Sequence, residues 1–175
     1  MGKIITEETQ EILQEDSYFI DENKTIFFFL KGTKKSEYEN LTPITKKEID
    51  DMNKTQELIY YFLPYIKDYK ESLLKENVEF KNHQFQADKL SLESLISTNI
   101  SNIKSITWFD SSNNPIELNN EEIKELISII SDRNSDIITT KQQIVKELKE
   151  CKSTFDINNW IEKYQDTLPF LKEEN

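Results

Sequence analysis

One cysteine, one histidine, one arginine and two glycines are all that 175 residues hold of the types on which much site chemistry rests. Each scarcity excludes something. Cys151 alone cannot build an internal disulfide framework, and it fits a reducing compartment or a particle assembled in one. Together, Cys151 and His83 supply only two of the ligands a zinc ion takes. A nucleophile and base pair made of them would require a helix-seam residue to meet a hairpin tip. Gly2 and Gly32 cannot make a glycine-rich phosphate loop. With Arg133 as the lone arginine there is no basic, aromatic-studded RNA surface. No apolar run approaches a membrane span, and the opening MGKIITEETQ lacks the apolar segment of a signal peptide, which predicts a start in the cytoplasm. Gly2 and Thr6 meet only the loosest myristoylation pattern, and nothing polybasic follows.

What is abundant is charge of one sign. The net charge is −11, with 31% charged and 36% apolar residues. Such a balance keeps a domain soluble, repels phosphates and favours a basic partner, so direct nucleic-acid binding is not expected. A chain of this length buries roughly 70% of the surface its unfolded form exposes, enough for one domain with an appendage and no metal or disulfide staple.

The organising stretch is 78–118, VEFKNHQFQADKLSLESLISTNISNIKSITWFDSSNNPIEL. It predicts two hairpins with an amphipathic helix between them. The first pairs 78–80 with 85–87 across a turn at Asn82-His83, with Phe80 and Phe85 as anchors. The second pairs 106–109 with 116–118 across a run of turn formers from Asp110 to Pro115, with Trp108 facing the core. Between them Leu90, Leu92, Leu95, Ile96, Ile100 and Ile103 fall at helical spacing, with Asp88 or Ser91 as N-cap.

Earlier in the chain, 6–14 reads as a short acidic helical start. Then 18–20 and 25–30 flank the turn formers of 21–24 and predict another hairpin. Its second strand, IFFFL, is apolar on both faces: Phe27 and Phe29 point one way and Ile26, Phe28 and Leu30 the other. Either the chain's own helices cover both faces, or another chain does. The mixed-charge run 31–43 reads as a linker. Thr45 and Glu48 then form a capping box for a helix whose apolar stripe is Ile49, Met52, Ile59, Leu63, Ile66 and Leu73, with a kink or restart near Tyr60 imposed by Pro64.

After the hairpins, Asn119 and Glu122 open a second long helix. Its stripe, Ile123, Ile127, Ile130, Asn134, Ile137, Lys141, Ile144, Leu148 and Cys151, alternates four and three as a coiled-coil seam does. No Gly or Pro intervenes, so about 48 Å of unbroken helix is allowed. Its partner is another chain, or the first helix folded back antiparallel, or the helix breaks near 131–135. A last helix capped by Asp156 puts Ile157, Trp160, Ile161, Tyr164 and Leu168 on one face, and Pro169 ends it. Asp110, Ser112, Asn114 and Glu121 mimic calcium-loop spacing, but the sharp turn needs Gly where Pro115 stands, and a hairpin turn explains the same residues.

Two stretches carry a resemblance. YFIDENKTIFFFL followed by LTPITKKEIDDM resembles the N-terminal portion of small tailed-phage proteins of the tail-fibre assembly type. Residues 65–164, with VEFKNHQFQAD and ITWFDSSNNPIELNNEEIKELI, look like a domain of unknown function at the end of such phage tail and tail-fibre assembly proteins. The resemblance implies a phage setting and a role through protein contacts, and it carries no catalytic residues.

The expectations are therefore an α+β fold of short hairpins in a small antiparallel sheet packed with long amphipathic helices. It divides into a hairpin region and linker (1–43), a helix, double-hairpin and long-helix domain (44–168), and a disordered tail (169–175). No catalytic, cofactor-binding or metal-binding residue is expected. The expected function is that of a non-enzymatic tail component or tail-fibre assembly factor, in the virion or the bacterial host cytoplasm, with other phage tail or tail-fibre proteins as partners. Its contact residues are Phe27, Phe28, Phe29, Ile123, Ile127, Ile130, Asn134, Ile137, Lys141, Ile144 and Leu148, with a homo-oligomer through the long helices and no membrane or direct nucleic-acid contact. The alternative is an acidic phage-encoded inhibitor of a host nucleic-acid-binding defence protein of the anti-CRISPR type.

Overall fold

A computed structural model describes residues 13–101 and 104–172. Of the expected helical start at 6–14, residues 6–12 lie outside them and 13–14 are not helical; Gly2, Ile103 and the last three residues also lie outside. The fold is α+β, built as two compact units, Met1–Gln56 and Glu57–Asn175.

The first unit holds an antiparallel sheet of three strands, β1 (Ser17–Ile20), β2 (Ile26–Phe29) and β3 (Thr42–Ile44), in the order β2-β1-β3. The β1–β2 turn is closed by Asp21. Its carboxylate accepts the Thr25 N–H at 2.7 Å, its own N–H donates to the Thr25 carbonyl at 3.1 Å, and Lys24 takes a φ of 64°. The linker reading of 31–43 is corrected here. Lys35–Glu37 form a 3-10 turn, and Thr42–Ile44 pair with β1, Pro43 opposite Phe19. A strand this short is made by its neighbour and not by its own pattern. Helix α1 (Lys46–Leu73) begins with the expected box: the Thr45 N–H donates to Glu48 at 2.8 Å and the Glu48 N–H to Thr45 Oγ1 at 3.2 Å. It runs through Pro64 without the expected restart. Pro64 and Tyr60 are both exposed, so the Tyr60 carbonyl that loses its helical donor is on the side where water can replace it.

The second unit has two cores. One gathers Ile59, Phe62 and Ile66 of α1 with Ile144, Leu148, Ile157, Trp160, Tyr164, Leu168 and Leu171. The other gathers Val78, Phe80, Phe85, Ala87, Leu95, Leu118, Ile123, Leu126 and Ile130. Helix α3 (Asn120–Glu150), capped by the Asn119–Glu122 box, contributes to both and does not break at 131–135. The stripes are wider than a strict seam. Phe62 and Leu126 are buried as well, because each helix faces more than one neighbour.

The hairpins stand where expected, with one shift. Strands β4 (Val78–Phe80) and β5 (His83–Phe85) turn at Lys81-Asn82, both at positive φ (54° and 61°), and not at Asn82-His83. The two-residue turn needs positive φ at both central places. Asn82 provides one cheaply, and the Lys81 ammonium is held by Glu122. His83 becomes a strand residue opposite Phe80. Strands β6 (Ser105–Phe109) and β7 (Pro115–Asn119) form the second hairpin, with Trp108 half-buried against the second core. Between the hairpins, α2 (Lys89–Ile100) is capped by Asp88, which accepts the Ser91 N–H at 2.8 Å.

Helix α4 (Thr154–Tyr164) is capped by Ser153, with Asp156 completing the box three residues on, which corrects Asp156 as the cap itself. Trp160 is core, its indole N–H donating to the Ile144 carbonyl at 3.2 Å. The expected disordered tail is also corrected: Pro169–Lys172 form a 3-10 turn that buries Leu171.

Leu148 is fully buried where α1, α3 and α4 meet. Leu148→Ala is expected to cost about 2–5 kcal/mol of stability, read from the urea midpoint, with little change in m.

Candidate functional site

The single cysteine and the single histidine are far apart. Cys151 is the C-cap of α3, while His83 sits in the hairpin whose Lys81 pairs with Glu122, in the first turn of that helix. About 43 Å of helix lies between the two ends. Burial and the nearby carboxylates of Asp156, Glu147 and Glu150 push the Cys151 thiol up, away from the reactive thiolate form.

The calcium-like pattern resolves into a turn. Asp110 accepts the N–H groups of Ser112 and Asn114, each at 2.9 Å, and the Asn114 side-chain amide, also at 2.9 Å. His83 Nδ1 lies 3.2 Å from Asp110 Oδ2, the oxygen that also accepts the Asn114 amide. Those bonds, that from Asn114 first, hold the carboxyl down at about 2. Nearby, the Ser111 N–H donates to the Gln84 carbonyl at 2.7 Å, so the two hairpins are stitched to each other at the same place. Among the described residues no three His, Cys, Asp or Glu side chains gather as a metal site.

The expected seam contact is corrected. Ile123, Ile130, Ile144 and Leu148 are buried within the chain, and Ile127 packs on the second core. The partner of the C-terminal half of α3 is α1 of the same chain, running antiparallel, with Arg133 on the Leu73 carbonyl at one end and Leu148 beside Ile59 and Phe62 at the other. Between the cores, Ile137 and Lys141 line a groove of about 220 Å³ with Ile66, Leu73 and Leu168. Asn134 keeps its amide oxygen buried with no hydrogen-bond partner. The long helices thus bury Ile123, Ile130, Ile144 and Leu148 of that seam within the chain, while Ile137 and Lys141 line the groove.

Strand β2 is different. Ile26, Phe27, Phe28 and Leu30 are all exposed, Phe28 at 52% and Leu30 at 62%. The two faces are unequal. Phe27 and Phe29 share theirs with the buried Phe19, and Tyr38 lies against it, 4.9 Å from Phe19 and 6.1 Å from Phe29 between ring centroids. Ile26 and Phe28 share the other face with Tyr18, whose ring is 4.9 Å from Phe28, and exposed Leu30 follows the strand. This second face is the more open, with Phe28 exposed at 52% against 36% for Phe27 on the first. Tyr18, Ile26 and Leu30 are part of this exposed region yet lie outside the expected contact set. Strict alternation from Phe28 across the hairpin was the signal that could have found them.

Helix α2 departs from its expected stripe. Leu95 is buried and Leu92 partly so, while Leu90 and Ile100 are more than 70% exposed and Ile96 is exposed as well. No helix among the described residues is long and apolar enough to cross a membrane. No protein-family model, curated protein or solved structure matches the chain.

The depressed Asp110 carboxyl gives a pH test. Because its folded value lies below the ordinary value near 3.9, its stabilisation is present above that pH and is lost as pH falls through about 2. The stability gap between wild type and Asp110→Ala, from denaturant melts across pH, is expected to be constant near neutrality and to close over that window.

Proposed function

We propose that this chain is a non-enzymatic component of a phage tail, or a factor in tail-fibre assembly, acting through protein contacts in the virion or the bacterial host cytoplasm. The observation that carries the contact role is the open face of the first sheet, where exposed Phe28 lies against Tyr18 beside exposed Ile26, with exposed Leu30 next after the strand. Exposed large side chains scattered singly are ordinary, but a contiguous aromatic patch beside polar surroundings is the signature of an interaction site. The phage setting rests on the resemblance of the first hairpin and of the double-hairpin stretch to tail and tail-fibre assembly proteins. The double-hairpin stretch is at least one knit piece, joined by the Ser111–Gln84 bond and the His83–Asp110 contact.

The acidic-inhibitor reading needs carboxylates lined up along a face without neutralising partners. Here lysines sit beside carboxylates along the helices, as in Lys67 with Glu71, Lys89 with Glu93, Lys124 with Glu121 and Lys146 with Glu150. That is the arrangement of a solvated helix surface.

The test is quantitative mass spectrometry of purified particles, and of tail and fibre assembly intermediates, from cells producing the phage that encodes the chain. Recovery in either fraction, lost or sharply reduced for a folded Phe28→Asp variant, is the expected result. Absence from both fractions while the chain is present in the lysate would overturn the reading.

A further inference from the structure

Among the described residues, the outer edge of β2 is unprotected in a way the opposite edge of the same sheet is not. Sheet edges are ordinarily blunted by proline, charge or a bulge. Edge strand β3 follows that rule, with Pro43 at its centre. Edge strand β2 carries no proline and no charge from Ile26 through Leu30, and it pairs with β1 in unbroken register.

The direction of its backbone groups follows from the hairpin. The Asp21 N–H bonds the Thr25 carbonyl, which makes that a hydrogen-bonded pair. Hydrogen-bonded and non-hydrogen-bonded pairs alternate along an antiparallel ladder. Phe27 therefore turns its N–H and C=O toward β1, while Ile26 and Phe28 turn theirs outward.

We propose that β2 pairs antiparallel with β2 of a second copy about a two-fold axis at Phe27, giving one continuous sheet in the order β3-β1-β2-β2-β1-β3. Ile26 of each copy exchanges N–H to C=O bonds with Phe28 of the other, and the two Phe27 side chains face each other in the close, non-hydrogen-bonded pair across the axis.

Charge selects a second copy as the occupant. The turn before β2, with Asp21, Glu22 and Lys24, is net negative, and the segment after it, with Lys31 and Lys34 beside the Asp16 carboxylate that accepts the Lys31 N–H at 2.7 Å, is net positive. Antiparallel self-pairing lays each acidic end beside the basic end of its mate, twice by symmetry. Neither Glu22 nor Lys31 has an ion-pair partner among the described residues.

This inference concerns the strand edge and not the open face, so it stands or falls apart from the phage setting. A single strand pair is smaller than a standard interface, so association is expected to be concentration-dependent. The experiment is sedimentation equilibrium of the full chain across a wide concentration range, with circular dichroism as the fold control. Wild type is expected to pass from monomer to dimer and stop there. Phe28→Pro removes an outward N–H while leaving the β1 bonds intact, and is expected to stay monomeric. Lys31→Glu is expected to weaken the dimer roughly fivefold, and Glu22→Lys combined with Lys31→Glu to restore it. The double reversal keeps the test decisive if the proline variant fails to fold. A wild type that stays monomeric throughout, one that grows without a dimer plateau, a folded Phe28→Pro that still dimerises, or a double reversal without rescue would each overturn the proposal.

Discussion

A helix of 31 residues offers more apolar length than one small core can cover, and the second unit meets that constraint by building two cores along α3. Its first half anchors the two hairpins and α2, while its last turns hold α1, α4 and the C-terminal 3-10 turn. Both cores of that unit depend on α3 staying continuous. Between the cores the stripe turns partly polar, with Asn134 and Lys141 on either side of Ile137 where a solid core would put leucines. Arg133 reaches from there to the Leu73 carbonyl, one of the groups the end of α1 leaves without a helical donor. Buried polar atoms of Arg133 and Asn134 that lack partners mark this as the least satisfied part of the unit.

Local signals were legible in the sequence. The boxes at Thr45–Glu48 and Asn119–Glu122 rest on a spacing of three residues, and a short spacing is fixed by the chain itself. The same logic failed at Asp156, because Ser153 three residues earlier is also a cap former and the pair acts as one box. The first hairpin slipped by one residue for a related reason. Asn82 marks the turn, but whether it takes the first or second central place depends on Glu122 gripping Lys81 from a distant helix. Strand β3 was invisible because three residues centred on a proline have no pattern of their own and need β1 beside them.

The interaction surface was half legible. Alternation along IFFFL divides its side chains between two faces with certainty, yet says nothing of which face is covered. That was decided by Tyr38, nine residues beyond the strand, which packs on Phe19 and Phe29 and leaves Phe28 open. The long-helix seam misled in the opposite direction. A regular spacing of apolar residues shows that a helix has a partner, and it cannot show whether that partner belongs to the same chain. Helix α2 was harder still. Its leucines and isoleucines point all round, so no face stands out, and only the position of Leu95 against the hairpins settles the matter.

The isolation of Arg133 has a practical side. A protease that cuts only after arginine meets a single scissile bond in the whole chain, and the bond lies in the middle of α3, inside a hydrogen-bonded helix whose arginine side chain is only 22% exposed. Folded chains shield it, and the bond opens when α3 lets go of its cores. The chain thus carries its own one-site reporter: where reclosing is fast the rate of falling into two fragments reads the population in which the long helix is open, and where cutting outpaces reclosing it reads the opening rate.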